Sequence, residues 1–197
     1  MKRIAPIAAA LALALPGLAL GATSTWQIDP AHTQAIFGVK HLVISTVKGE
    51  FGKTTGTLTL DEADVSKSKV EATVDVTTLN TREPKRDEHL RSPDFFDVAK
   101  YGTMTFKSTK VEKAGEGKLK VTGDLTIRGV TKPVTLEVTG PTAEIKDPWG
   151  NVKRGVSATA KVNRKDFGLN WSKTIEAGPV VGDEVTIEID AELARAK

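Results

Sequence analysis

The feature that most constrains this chain is an alternation of apolar and polar residues that recurs along its length. A period of two is typical of β-strands with one buried face and one face in water. The strongest alternating runs lie at residues 70–77, 118–127, 134–139, 156–163 and 184–193. Weaker strand candidates are residues 25–29, 33–41, 47–60, 103–111 and 142–146. Tight turn signals such as Arg128-Gly129 separate the runs, so the sequence predicts an antiparallel meander of about eight or nine strands.

One long segment, residues 81–100, breaks the alternation and is rich in charged residues. Within it, Ser92 followed by Pro93 matches an N-cap and the first position of a helix. We therefore expect one or two short helices that cross between strands. Because no linker and no internal repeat is evident, residues 23–197 are predicted to form a single domain.

The first 22 residues differ from the rest of the chain. Lys2 and Arg3 precede a stretch rich in Ala and Leu, residues 4–20, and small residues follow it. This layout is typical of a secretory signal peptide, so we expect residues 1–22 to be removed and the protein to reside in the periplasm. The alternative is a membrane anchor, but Pro16 and Gly17 interrupt the stretch, and a spanning helix needs about 20 apolar residues.

The charge balance and the missing residue types exclude several classes of function. Without the leader, 26 Lys and Arg face 25 Asp and Glu, a net charge of +1 that does not favour nucleic acid. No second apolar stretch predicts stable membrane insertion. The absence of cysteine excludes disulfides and thiolate sites. The three histidines have no short ligand spacing, and no nucleophile elbow or phosphate-binding glycine loop occurs, so we expect no metal, no cofactor and no catalysis.

Strands with a single apolar face either close into a barrel or split into a sandwich of two sheets. The inward stripes are mostly Val, Ala, Leu, Ile and Gly, and the chain has six Phe, three Trp and one Tyr. Side chains of this size around a barrel axis leave an elongated apolar void that suits a hydrophobic ligand. The same side chains also pack two sheets together, so the alternation by itself leaves both architectures open.

Three segments carry a family resemblance. Residues 29–41 (DPAHTQAIFGVKH), 85–97 (KRDEHLRSPDFFD) and 123–134 (GDLTIRGVTKPV) resemble the opening motif, the central helical motif and the characteristic hairpin of the YceI-like family. The resemblance implies an all-β, eight-stranded antiparallel lipocalin-like β-barrel with short helices in the 81–100 crossover. It also implies a periplasmic protein that binds polyisoprenoid or other long-chain lipids in a hydrophobic pore. Thr33, where Ser is commoner, and Gly102, where Pro is frequent, depart from the family pattern and leave the exact ligand open.

Candidate ligand-binding residues fall into two groups. Apolar residues on the inward face of the strands are candidates for the pore wall, although they are equally suited to a filled core. This group comprises Phe37, Val39, Leu58, Leu60, Val74, Val76, Met104, Phe106, Leu125, Leu136 and Phe167. Polar residues near a barrel mouth are candidates for binding the lipid head group, and they are His41, Arg86, Asp87 and His89. For Arg86 and Asp87 we favour the alternative that they anchor the short helices through ion pairs.

The function that these observations predict is that of a periplasmic carrier for a long-chain isoprenoid lipid, polyprenyl or quinone-like. Three alternatives remain: a carrier of fatty acids or fatty amides, an enzyme that acts on a lipid head group, and an interaction protein with a filled barrel. The expected partner is the lipid itself, without nucleic acid. A homodimer is compatible with exposed barrel mouths, and the sequence does not decide it.

Overall fold

The computed structural model describes residues 23–196, and the leader predicted at residues 1–22 lies outside the described residues. Along this part of the chain, no helix has the length and apolar character needed to cross a membrane. The strands are β1 (Thr23–His41), β2 (Ser45–Phe51), β3 (Thr54–Asp61), β4 (Lys69–Asp75), β5 (Leu79–Asn80), β6 (Thr103–Gly115), β7 (Lys118–Ile127), β8 (Val130–Thr139), β9 (Ile145–Lys146), β10 (Val152–Asn163), β11 (Thr174–Ile175), β12 (Gly178–Pro179) and β13 (Val181–Arg195). The α-helix is α1 (Pro84–Arg91).

Eight of these strands close into an antiparallel barrel. Their order around the wall is β1, β3, β4, β6, β7, β8, β10 and β13, and β13 pairs with β1 to complete the ring. The ladder is shortest between β8 and β10, where three residue pairs, from Ser157–Thr139 to Thr159–Glu137, join the strands. The lipocalin-like barrel that the family resemblance predicts is confirmed, and the sandwich alternative is wrong because the sheet pairs with itself.

Strand β1 changes its pairing partner on one side halfway along its length, from β3 to β2. Its first part pairs with β3 as far as Gln27 opposite Thr57, and its last part pairs with β2 from Ala35 opposite Phe51. Against β13, the register shifts between Ile28 and Thr33. The strand therefore bulges at residues 29–32, where it passes from one partner to the other.

The turn between β7 and β8 follows the sequence prediction. Arg128 and Gly129 both have positive φ angles, 51° and 73°, as a tight two-residue hairpin requires. The Arg128 guanidinium also donates hydrogen bonds to the carbonyls of Gly168 at 2.5 Å and Pro93 at 2.7 Å. This turn thus holds two connecting segments at the end of the barrel where α1 packs, which we call the helix end.

The crossover contains one α-helix, and the predicted helix start at Ser92 is wrong. Pro84 begins α1, and the side chain of Glu83 accepts a hydrogen bond from the Lys85 amide. Ser92 instead ends α1, because its amide and its hydroxyl both donate to the carbonyl of His89. The amides that follow bond back to carbonyls of α1 and Ser92, so the chain forms turns in place of a second helix.

The buried apolar side chains form three clusters, of which one, comprising Val111, Val121, Val138 and Ala158, lies on the wall formed by β6, β7, β8 and β10. A cluster at the helix end includes Phe51, Leu79 and Phe95. At the opposite end, which contains the β6–β7 turn and which we call the hairpin end, Trp26 packs with Leu60 and Leu193. All three clusters contribute residues to the lining of the candidate site.

Candidate ligand-binding cavity

A cavity of about 300 Å³ lies inside the barrel, and all eight strands of the ring contribute to its lining. This volume falls at the lower end of the range typical of small-molecule sites, about 300–1,000 Å³. Most of the lining side chains are apolar, and six are polar: Thr33, Thr54, Ser68, Lys69, Thr105 and Arg164. Lys69, at the start of β4, and Thr105 are exposed to solvent as well as lining the cavity.

The cavity exists because the inward side chains are too small to meet across the barrel. Val70, Ala72 and Ile187 line it and are only half-buried, although strands surround them, because their free surface faces the void. The large Phe106 ring also faces the cavity, but it lies along the wall, over Gly123. A β-carbon at Gly123 would stand 2.5 Å from Cζ of that ring. Because Gly123 has no side chain, the Phe106 ring has room to lie along the wall, which leaves the centre of the barrel open.

Of the predicted wall residues, most line the cavity. These are Phe37, Val39, Leu58, Leu60, Val74, Met104, Phe106, Leu125 and Leu136. Val76 and Phe167 do not line it, and they are 1% and 2% exposed within the helix-end cluster. Both lie in 3-10 turns that follow a strand, where the backbone leaves the alternating geometry. Contact of the nine lining residues with a ligand stays a prediction.

None of the four predicted mouth residues lines the cavity. Arg86 and Asp87 both bind Thr81, the residue after β5. The Asp87 carboxylate accepts from the Thr81 amide at 2.8 Å and from its hydroxyl at 2.5 Å. The Arg86 guanidinium donates to the Thr81 hydroxyl and carbonyl, each at 2.8 Å. The two side chains thus fasten α1 to the end of β5. The links are hydrogen bonds to Thr81 and not the ion pairs predicted from the sequence.

His89 packs edge-on between two aromatic rings. The centroid of its ring is 5.0 Å from that of Phe95 and 5.2 Å from that of Trp171, and its Nε2 is 2.9 Å from Oδ2 of Asp94. His41 lies half-buried at the end of β1, opposite Ser45. Both histidines therefore stand outside the cavity lining.

The cavity lining includes one buried charged side chain that our sequence reasoning missed, Arg164, which is 5% exposed. Its guanidinium donates to the carbonyls of Leu169, Trp171 and Gly182 and to the carboxylate of Asp183. Burial lowers the pKa of Arg164, and the negative charge of Asp183 opposes that shift. Because these acceptors occupy its donors, Arg164 holds the segment between the turn at 164–167 and β13 in place.

Outside the barrel, Asp29 and His32 of the β1 bulge meet Glu192 of β13, with their ligand atoms within 4.8 Å of one another. Lys153 of β10 places its Nζ 2.5 Å from Oδ2 of Asp29 and 3.5 Å from Glu192. Hydrogen bonds from Lys153 and His32 lower the pKa of Asp29 to about 2. Because the Lys153 ammonium group pairs with both Asp29 and Glu192, these residues form an ion-pair network that fastens the β1 bulge to β10 and β13.

Comparisons with known proteins agree with this architecture. A family model described as the YceI-like domain matches residues 26–193. A UPF0312 protein of Vibrio parahaemolyticus is 39% identical over 188 residues, which cover 95% of this chain and 94% of that protein. The structure of Burkholderia cenocepacia BcnA has a TM-score of 0.72 at 24% identity, covering 84% of this chain and 98% of that chain. The structure of a polyisoprenoid binding domain from Saccharophagus degradans has a TM-score of 0.64 at 14% identity, and the match covers 89% of this chain and 100% of that chain.

Proposed function

This chain belongs to the YceI-like family, and on that basis we propose that it is a periplasmic carrier of a long-chain isoprenoid lipid, polyprenyl or quinone-like. The observation that carries the proposal is the apolar cavity that all eight strands enclose. The likeness in fold to the polyisoprenoid binding domain of Saccharophagus degradans supports the choice of lipid.

Binding in such a cavity needs no chemistry beyond the removal of apolar surface from water. Each buried methylene group contributes about 0.8 kcal/mol, so a chain of several isoprene units gains enough to bind despite the cost of ordering it. Carriage without turnover is therefore the simplest function for this site. In support of it, His41 and His89, two of the candidates for binding the head group, stand outside the lining.

The proposal includes export. The basic start, the apolar stretch and the small residues at positions 19 and 21 match a leader that is removed during secretion. The mass of the intact protein from the periplasm of producing cells should correspond to a chain that begins at Ala22 or Thr23. A mass that retains residues 1–22 would contradict export with cleavage and leave the binding proposal standing.

Native mass spectrometry of the protein purified from bacterial periplasm, followed by lipid extraction, tests the ligand. We expect a bound branched isoprenoid. Recovery of a straight-chain acid or amide would contradict the isoprenoid ligand and support the alternative, a carrier of fatty acids or fatty amides. Protein that carries no lipid, and that takes up no hydrophobic probe after delipidation, would contradict both carrier functions.

A further inference from the structure

The β1–β2 turn and the β11–β12 hairpin expose large apolar side chains next to one another. Val43 and Ile44 are 55% and 82% exposed, and Ile175 is 46% exposed. The two hairpins are in contact, because a β-carbon at Gly178, which pairs with Ile175, would stand 3.2 Å from Cγ2 of Val43. We call Leu42, Val43, Ile44 and Ile175 together the apolar tip.

The backbone of the β1–β2 turn is strained. Leu42 and Val43 have φ angles of 52° and 66°, and the Ile44 amide donates to the His41 carbonyl at 3.2 Å. Both residues thus occupy the central positions of a tight turn, where Asn and Gly are strongly preferred. A β-branched residue with a positive φ is an outlier, and strain of this kind is concentrated at functional sites. Among residues 23–196, Leu42 and Val43 are the only apolar side chains with a positive φ.

Asn-Gly at these two positions would remove both the strain and the exposed apolar surface. The turn at the other exposed apolar site shows the difference. Trp149 is 84% exposed, but there the positive φ falls on Gly150, and the Asp147 carboxylate accepts hydrogen bonds from the Trp149 and Asn151 amides. The β1–β2 turn therefore has two costs in water that its neighbours in the fold avoid, which indicates that water is not its only surrounding.

The apolar tip lies just beyond the cavity lining at the helix end. β1 begins beside the hairpin-end cluster, so its last residues reach the opposite end of the barrel. Val39, near the end of β1, and Val181, the first residue of β13, both line the cavity. The Leu42 amide donates to the Val180 carbonyl at 2.9 Å, which holds the tip against the start of β13. The cavity lining therefore extends to the base of the tip.

The shape and charge of the apolar tip favour a lipid surface as its partner. The 82% exposure of Ile44 shows that the tip projects from the barrel, and a deformable bilayer accommodates such a projection without a matching pocket. Two exposed lysines, Lys40 and Lys173, flank the tip, against one acid, Glu176. Apolar side chains beside lysines suit an interface of acyl chains and anionic head groups.

We propose that the apolar tip docks the protein reversibly on an anionic phospholipid bilayer. Val43, Ile44 and Ile175 enter the boundary between head groups and acyl chains, and Lys40 and Lys173 meet the head groups. This inference extends the proposed function, because docking brings the helix end of the cavity to the membrane in which long-chain lipids reside. Few side chains enter the bilayer, so the contact is a reversible one.

Co-sedimentation of the delipidated protein with vesicles of equimolar phosphatidylcholine and phosphatidylglycerol measures docking. We expect wild type to bind, and Ile44→Ser/Ile175→Ser to bind at least about tenfold more weakly, because two apolar side chains at exposed positions are lost. Ile145→Ser is the matched control. Ile145 is 64% exposed at the hairpin end, where it pairs with Lys153, and its loss should leave vesicle binding unchanged.

A second variant separates docking from folding. Leu42→Asn/Val43→Gly should raise Tm, because both new residues tolerate a positive φ, and it should weaken vesicle binding at least about tenfold. A turn with only a structural role would give a higher Tm with unchanged vesicle binding, which would overturn the proposal.

The absence of cysteine from the chain allows a probe at one position at a time. An environment-sensitive dye on Ile44→Cys should shift its emission to the blue when vesicles are added, and the same dye on Ile145→Cys should not. Equal shifts at both positions, or wild type that does not sediment with vesicles, would overturn docking through the tip. Sedimentation without vesicles would also overturn it, in favour of self-association.

These measurements use protein without bound lipid, so they are independent of the carrier function. Failure to dock would leave the isoprenoid carrier standing. Recovery of no lipid from the periplasmic protein would contradict the carrier and leave docking standing.

Discussion

At the scale of single residues, the cavity depends on which side chains face the bore and on what lies beside them. Val74 and Val76 are two residues apart, yet Val74 lines the cavity and Val76 is 1% exposed in the helix-end cluster. The difference arises because β4 ends at Asp75 and a 3-10 turn begins at Val76. We therefore expect the same substitution to affect stability less at Val74 than at Val76.

Val74→Trp should abolish lipid binding with a small loss of stability, because the indole has free volume to enter. Val76→Trp is the matched control and should lower the free energy of unfolding by at least about 1–3 kcal/mol, since the same ring must displace packed neighbours. Denaturant unfolding and uptake of a fluorescent lipid measure the two effects. Equal destabilisation at both positions would contradict an open bore at Val74.

Gly49 should resist substitution because the Phe37 ring lies over it. A β-carbon there would overlap the edge of that ring and stand 2.7 Å from Cγ2 of Thr81. We expect Gly49→Ala to cost about 1–3 kcal/mol, and Phe37→Leu in the same chain to recover at least about 0.5 kcal/mol in a double-mutant cycle. Gly52→Ala, whose β-carbon would meet nothing closer than 3.7 Å, is the control. Strict additivity of Gly49→Ala and Phe37→Leu would argue against the contact.

At the scale of elements, short polar links join parts of the chain that the barrel ladder does not connect. The crossover helix α1 is fastened by Asp87 and Arg86 to Thr81. The β1 bulge is fastened across β13 to β10 by the ion pair of Asp29 and Lys153. Each link is testable by removing one partner.

Asp87→Ala should lower the free energy of unfolding by about 1–3 kcal/mol, because the buried Thr81 amide and hydroxyl lose their acceptor. Glu88→Ala changes an exposed neighbour in the same helix and should have little effect. Hydrogen exchange of the α1 amides should accelerate in the Asp87 variant. Unchanged exchange there would contradict the anchoring role.

The pair of Asp29 and Lys153 should make stability depend on pH at the acid end. The pKa of Asp29 is about 2 in the folded protein and 3.8 when unperturbed, so its contribution is complete above about pH 4 and is lost as pH falls through 2. The contribution is at most about 2 kcal/mol. Asp29→Asn should flatten the stability curve between pH 4 and pH 2, whereas Glu116→Gln in the exposed β6–β7 turn should not. A curve of unchanged slope would show that the pair contributes nothing.

At the scale of the whole molecule, the barrel combines a closed hydrogen-bonded wall with an unfilled interior. Closure through β13 and β1 holds the strands apart, so the wall does not collapse onto the cavity. Three clusters of buried apolar side chains pack around the cavity and provide the core. Occupation of the cavity should therefore contribute to the stability of the whole fold.

Delipidated protein should have a lower Tm than lipid-loaded protein. A ligand that binds only the folded state at 100 times its Kd adds about 2.7 kcal/mol to the free energy of unfolding. Differential scanning calorimetry before and after delipidation, with relipidation as the reversibility control, measures the change. An identical Tm in both forms would mean that the lipid does not occupy the interior.

The sequence by itself indicated the strands of the barrel wall and the family, because alternation and short motifs are properties of neighbouring residues. It predicted residues 47–60 as one strand, where the structure has β2 and β3, and it did not predict the two-residue strands β5, β11 and β12. It predicted the hairpin turn at Arg128-Gly129 and nine of the residues that line the cavity, although the lining includes many more. It could not predict that Ser92 ends a helix, since that depends on which carbonyl its amide and hydroxyl reach.

Only the tertiary structure decided which apolar residues border empty space and which polar groups lack a partner. Val74 and Val76 follow the same alternation in the sequence, yet only Val74 lines the cavity. His41 and His89, which were predicted near a mouth, lie outside the lining. The Oγ1 atoms of Thr33 and Thr54 are buried without a hydrogen-bond partner in residues 23–196, and nothing in the sequence indicates this. The free volume beside a side chain and the hydrogen-bond partners of a polar group both depend on residues that closure of the barrel brings together from distant parts of the chain. A local sequence pattern does not contain this information.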